Sequence, residues 1–211
     1  MPFDPATLPA FAAASIAVYL APGADMAYIA ANSVPHGFRA GAFAATGTVL
    51  GVFVQAVAAA TGATAIFLIS PVAFEIVRWA GVAYLCWLGI RLLRADVPNL
   101  SAEAPPGWRP GPVVLKGMAI NILNPKISLF FLAFLPQFAD PAQGSMFAQL
   151  LTLGLMFAGG AILWCYFLAW AFARLGGWLV RRRASLIWQN RISGGAMLVF
   201  AGMLAVAGVR R

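Results

Sequence analysis

Residues 121–138 read NILNPKISLFFLAFLPQF, from Asn121 to Phe138. An apolar stretch of this length is long enough to cross a bilayer, yet it carries Pro125 and Lys126 side by side. A spanning helix of roughly 20 apolar residues is expected to exclude both. Proline removes a backbone hydrogen bond, and a lysine in hydrocarbon costs about 2.5–3.5 kcal/mol or more. Pro125 frees the carbonyl four residues earlier, at Asn121, and the amide side chains of Asn121 and Asn124 flank the break. An unwound, polar, cationic point at membrane depth is tolerated where it faces protein or a water-filled cavity. The stretch therefore predicts a binding or permeation site in a helical membrane protein.

The rest of the chain fits that environment. Of 211 residues, 62% are hydrophobic and 9% are charged, which excludes a soluble globular domain. Met1 to Leu8 contains no Lys or Arg, and the apolar run that follows has no cleavage site, so the first segment is expected to stay attached as a spanning helix. The net charge of +8 sits at the ends of apolar runs, the pattern of topology signals and lipid-headgroup contacts rather than of nucleic-acid binding. Cys86 and Cys165 lie far apart inside apolar runs and are expected to be buried and inert. One His and two scattered Cys cannot build a zinc site, and no phosphate-cradling glycine loop is present, so neither a metal centre nor a cofactor nor an ATP-driven pump is expected.

Long apolar runs bounded by charges or turn residues give six predicted spans: Leu8 to Ala31, Ala40 to Ile69, Val72 to Leu93, Val113 to Gln137, Ser145 to Ala173 and Ile192 to Val209. The first and fourth are interrupted, at Pro22 and Pro125. Between the third and fourth lies a polar connection with five prolines, which argues for a loop. The expected fold is an all-α integral membrane protein of six transmembrane helices, arranged as two three-helix inverted repeats. The repeats are residues 1–94 and 113–211, joined by a cytoplasmic loop over residues 95–112. Ten Lys and Arg residues fall on the side of the connections after spans one, three and five, against three on the other side. The positive-inside rule then puts both termini outside the cytoplasm.

Asp25 follows Pro22 and Gly23, which together weaken the first span. It is expected either to bind a cationic group or a proton, or to reach the headgroups from a helix end. Lys126 occupies the matching place in the second half, where a half-helix beginning at Pro125 and an ammonium would suit a carboxylate. Asp25 and Lys126 could equally form an ion pair that ties the repeats together. Gly37, Gly41, Gly47 and Gly51 fall on about one third of a helix circumference and predict close helix packing, with Thr48 and Gln55 nearby. His36 is expected in a solvated turn, Glu75 and Arg78 as a local surface pair, and Arg181 to Arg183 as a lipid-facing basic run.

Four stretches in order and spacing resemble the LysE/RhtB family of amino-acid exporters. They are PGAD at Pro22 to Asp25, GFRAGAFAATGTVLG at Gly37 to Gly51, WAGVAYLCWLGIRLLR at Trp79 to Arg94 and NPKISLFFLAFLPQF at Asn124 to Phe138. The chain departs from the family at Ala24, where Pro-Gly-Pro is usual. The resemblance implies a secondary transporter of the bacterial inner membrane that exports amino acids or close derivatives, driven by protons or membrane potential, with a homo-oligomer compatible. One evident acid and one evident base fit a neutral amino acid best. Competing expectations are export of another small solute, such as a metal cation or a thiol metabolite, and a membrane enzyme, which would need a catalytic cluster that no Cys pair or His-Asp-Ser grouping supplies.

Overall fold

The computed structural model describes residues 7–69, 71–95, 108–181 and 183–207. Seven α-helices make up most of it: α1 Leu8–Leu20, α2 Ala24–Ile69, α3 Pro71–Arg94, α4 Pro110–Ile122, α5 Pro125–Leu129, α6 Met146–Arg181 and α7 Arg183–Ala207. No strand occurs among the described residues. Three helical stretches are long and apolar enough to cross a membrane, over Ala24–Ala65, Glu75–Arg94 and Met146–Gly176. The bent pair Pro110–Ile122 and Pro125–Phe138, angled by 46°, would make a fourth. Leu8–Leu20 and Asn190–Val206 are shorter apolar helices. Large side chains such as Leu163, 76% exposed, and Leu123, 79% exposed, point outward with no polar cover, as a lipid-facing surface requires.

Within α2 the helix is broken at Gly37, whose φ of 77° and ψ of −174° are open to glycine and costly for other residues. The chain doubles back there, so that a Cβ on Gly41 would collide with the Ser33 hydroxyl eight residues earlier. In a straight helix those two residues would be about 12 Å apart. Gly37 is thus the reversal point and not part of a packing strip, since no atom lies near its Cβ position. Gly41, Gly47 and Gly51 do abut other backbone or side chains, Gly41 lying against Ser33 and Ala169. His36, expected in a solvated turn, is half-buried in the last helical turn before the reversal.

The proline-rich connection lies mostly outside the described residues, but its end is not loop. Pro110 and Pro112 belong to the first turn of α4, after Arg109 in extended conformation. The first four N–H groups of a helix have no intrahelical acceptor, so proline costs nothing there. The side chains of Arg181 to Arg183 also fall outside the described residues.

Small residues let the helices approach. Gly89 on α3 and Gly194 on α7 face each other so closely that a Cβ on either would press on the other's carbonyl oxygen. Such contacts replace the hydrophobic drive that is missing between helices in lipid. Beyond α5 the chain continues as a π-helical turn, Phe130–Phe134, and a 3-10 turn, Leu135–Phe138. Phe131 packs edge-on to Phe157 of α6 at 5.1 Å, and Phe134 lies 5.3 Å from Phe200 of α7. Each such pair contributes about 0.5–1.5 kcal/mol beyond area burial. Arg78, expected at the surface with Glu75, keeps that pairing but is 5% exposed, its Nη1 donating to the Leu204 carbonyl in the last turn of α7. The terminal carbonyls of a buried helix end need a donor, and α3 supplies one.

Candidate functional site

Two helix breaks meet at the centre of the molecule. In the first, α1 stops at Leu20, Ala21 turns extended, and α2 starts at Ala24 with Asp25 in its first turn. Pro22 has no N–H, so the Val18 carbonyl lacks its helical donor. In the second, α4 stops at Ile122 and α5 starts at Pro125, so the Asn121 carbonyl loses its i+4 donor and keeps only the Asn124 N–H at 3.0 Å.

Each set of freed carbonyls is satisfied from elsewhere in the chain. Gln55 of α2 reaches across, its Nε2 donating to the Asn121 carbonyl and, at 3.2 Å, to that of Ile122. The Asn124 side chain caps α5, its Oδ1 accepting from the Lys126 backbone N–H at 3.1 Å. Lys126 extends to the first break, where its Nζ donates to the Ala21 carbonyl at 2.9 Å and to the Val18 carbonyl at 3.4 Å. The same ammonium lies 3.5 Å from Asp25 Oδ1. Lys126 is 7% exposed, so this is a buried charge held by two carbonyls and a carboxylate. Lys126 stands in the first turn of the helical arm Pro125–Phe138, so its ammonium adds to the positive end of that arm.

A cavity of about 500 Å³ opens beside this junction. Pro22, Gly23, Asn124 and Lys126 form its floor, and Tyr84, Trp87 and Arg91 of α3 form one wall. It runs to the α3 terminus, where Arg91 is exposed and its guanidinium sits 5.1 Å from the Trp87 ring. Asn124 carries a buried Nδ2 with no hydrogen-bond partner. A donor left unpaired in a buried wall costs about 1–3 kcal/mol unless a ligand meets it.

Asp25, Lys126, Asn124, Pro22, Gly23 and Pro125 therefore come together, although Asp25 does not line the cavity and meets Lys126 beside it. Asn121 is elsewhere: it is fully buried against Gly51, and its amide faces helix packing rather than the cavity. Thr48, near the glycines, donates to the Ala44 carbonyl within its own helix. Arg91, Tyr84, Trp87 and Asn190 are cavity residues that no sequence pattern singled out. Only the four-residue spacing of Trp87 and Arg91, one helical turn, hinted at a shared face.

Gln55 has a measurable share in this geometry. Gln55→Leu is expected to destabilise the protein by about 1–3 kcal/mol, because it strands the Ile122 carbonyl, while the Asn121 carbonyl keeps the Asn124 N–H at 3.0 Å. Thermal unfolding in detergent reads this directly, and an unchanged midpoint would mean that water serves the carbonyl instead.

Comparison with known proteins places this architecture. The family model described as LysE type translocator matches residues 16–208. A leucine efflux protein of Enterobacter sp. (strain 638) is 28% identical over 189 residues, covering 89% of this chain and 90% of the relative. A homoserine/homoserine lactone efflux protein of Salmonella typhi is 36% identical over 146 residues, covering 69% and 70%. An uncharacterized membrane protein of Vibrio cholerae is 31% identical over 146 residues, covering 69% and 71%. No solved structure matches the chain. With its helices, its lipid-facing surface and a family match over residues 16–208, the chain is a membrane transporter that belongs to the LysE type translocator family.

Proposed function

We propose that this protein exports neutral amino acids or their close derivatives from the cytoplasm, as a secondary transporter working by alternating access. One observation carries the proposal: the Lys126 ammonium, from one helix break, is held on the carbonyls of the other break at the floor of a cavity. A charge of that kind at membrane depth is costly and marks a substrate pathway. The relatives named for leucine efflux and for homoserine/homoserine lactone efflux support a substrate without net side-chain charge.

The architecture behind this is six spans in two inverted repeats, the first formed by α1 with the short arm of α2, and the fourth by α4 with α5 and the turns after it. Both termini lie outside the cytoplasm, so the Arg91 end of the cavity faces inward and takes substrate from the cell. The substrate's carboxylate binds near Lys126 and the amide of Asn124, and its ammonium binds near Asp25. Protonation of Asp25 from outside weakens the hold on the ammonium and releases it, while rocking of the two halves about their breaks alternates access.

Efflux from proteoliposomes preloaded with a mixture of labelled amino acids tests the proposal. Selective loss of neutral amino acids is expected; retention of every amino acid by well-folded protein would redirect the search to metal ions and other metabolites. For the proton step, Asp25→Asn is expected to lower amino-acid counterflow by about tenfold or more, the worth of one charge-assisted hydrogen bond, and to flatten its dependence on external pH. Wild-type counterflow in this variant would remove the proton switch from the mechanism.

A further inference from the structure

The place that Lys126 occupies is built for an ammonium, whoever supplies it. Pro22 strips the Val18 carbonyl of its helical donor, the Ala21 carbonyl sits at the extended end of the break, and Asp25 adds a carboxylate. These three acceptors converge on one nitrogen, at 3.4, 2.9 and 3.5 Å. A primary ammonium has three N–H groups to meet them. Gly23 keeps the space open, since a Cβ there would stand 3.0 Å from the nitrogen and collide with the Asp25 carboxylate.

We infer that this cage is the binding site for the substrate's α-ammonium, and that Lys126 is a tethered stand-in which the substrate displaces. The inference rests on the exporter proposal for the identity of the substrate, but the cage itself does not. Asp25 Oδ1 is buried at the Lys126 ammonium, so an incoming ammonium takes that oxygen together with the Val18 and Ala21 carbonyls only after the lysine moves. The displaced ammonium has somewhere to go. Asn124 presents its unpartnered Nδ2 beside it, and the two donors together form a carboxylate site next to the cage.

The exchange keeps every buried charge paired. Before it, Lys126 pairs with Asp25; after it, the substrate ammonium pairs with Asp25 and the substrate carboxylate with Lys126. A zwitterion adds no net charge to the site. A simple alkylamine would eject a buried ammonium with no acceptor to receive it, and uncompensated buried charge is strongly disfavoured. The wild-type protein therefore selects ligands that carry, beside the ammonium, a carboxylate or a carbonyl acceptor such as that of the homoserine lactone in one relative's name, and it rejects simple alkylamines because its own lysine outcompetes them.

The test uses ethylammonium chloride as the probe and thermal unfolding of the purified full chain as the readout, against matched sodium chloride. Lys126→Ala empties the cage and is expected to bind ethylammonium at least about tenfold more tightly than wild type. The amine would then raise its melting temperature at about 10 mM while leaving wild type unmoved. Adding Asp25→Asn to Lys126→Ala is expected to abolish the gain. Lys126→Leu, which fills the inner part of the lysine stem but ends two atoms short of the cage, serves the same purpose if the alanine variant fails to fold. Equal stabilisation of wild type and variant, or none in a folded variant, overturns the inference. Export and cage separate cleanly: a protein that moves no amino acid but whose Lys126→Ala form captures the amine loses the exporter proposal alone, and the opposite result removes the cage alone.

Discussion

Lys126→Ala is expected to reduce amino-acid efflux by about ten- to hundredfold while the protein still inserts and accumulates in the membrane. The lysine makes two kinds of contact, and the second bears on the cargo. In the empty carrier it holds the Val18 and Ala21 carbonyls and balances Asp25. With substrate bound it is the only buried cation placed to meet a carboxylate among the cavity residues. A charge-assisted hydrogen bond contributes about 1.5–3 kcal/mol, and each 1.4 kcal/mol is tenfold, so loss of the carboxylate contact alone accounts for about ten- to hundredfold. Stranding Asp25 without its partner acts on the empty carrier, where it lowers stability rather than adding to the loss of the carboxylate contact. Efflux from loaded proteoliposomes, normalised to reconstituted protein, checks the expectation. Lys126→Arg is a demanding control, because a planar guanidinium is larger than the ammonium and its fork does not suit three acceptors around one nitrogen. Substantial efflux by Lys126→Ala would mean that the cation is structural, fixing the two breaks to one another without touching cargo.

Much of this site was legible in the sequence, because a broken membrane helix leaves a loud local signal. Pro22 and Pro125 announce missing donors wherever they occur in a spanning segment, and Lys126 beside one of them announces a protected site. What no local pattern could reveal is which groups answer the freed carbonyls. Gln55 serves the second break from 66 residues away, and Lys126 serves the first from 105 and 108 residues away. Those assignments depend on how the helices pack. Gly37 misled for a related reason: its spacing with Gly41 fits a continuous helix, and only its positive φ shows that the chain turns back before the strip begins. Arg78 looked like half of a surface pair because Glu75 lies one turn away, whereas the tail of α7, distant in sequence, buries it. The Ala24 departure from the usual Pro-Gly-Pro leaves the break intact, since Pro22 and Gly23 already stand outside both helices.

Gly47→Leu is expected to cost at least about 3 kcal/mol of stability, enough to keep most of the protein from reaching a folded state in the membrane. Adding bulk to a packed core typically costs 1–3 kcal/mol when side chains can shift. Here the obstacle is backbone: a Cβ on Gly47 would collide with the Val114 carbonyl group of α4, and one on Gly51 would lie 2.8 Å from the Met118 carbonyl oxygen. Gly117 of α4 returns the contact, its Cβ position lying 2.9 Å from the Ala44 carbonyl. Neither helix can yield without moving as a body. Gly159→Leu is the matching control, because nothing lies within 4 Å of its Cβ position and the residue is exposed. Thermal unfolding of the two variants in detergent, with yield from membranes, should separate them clearly. If Gly47→Leu melts where wild type does, α2 and α4 do not touch as described. The consequence reaches function, because the same contact sets Gln55 on the Asn121 carbonyl. Gly47→Ala, a milder wedge, is therefore expected to loosen the second break and with it the aim of Lys126, lowering efflux by more than its loss of folded protein explains.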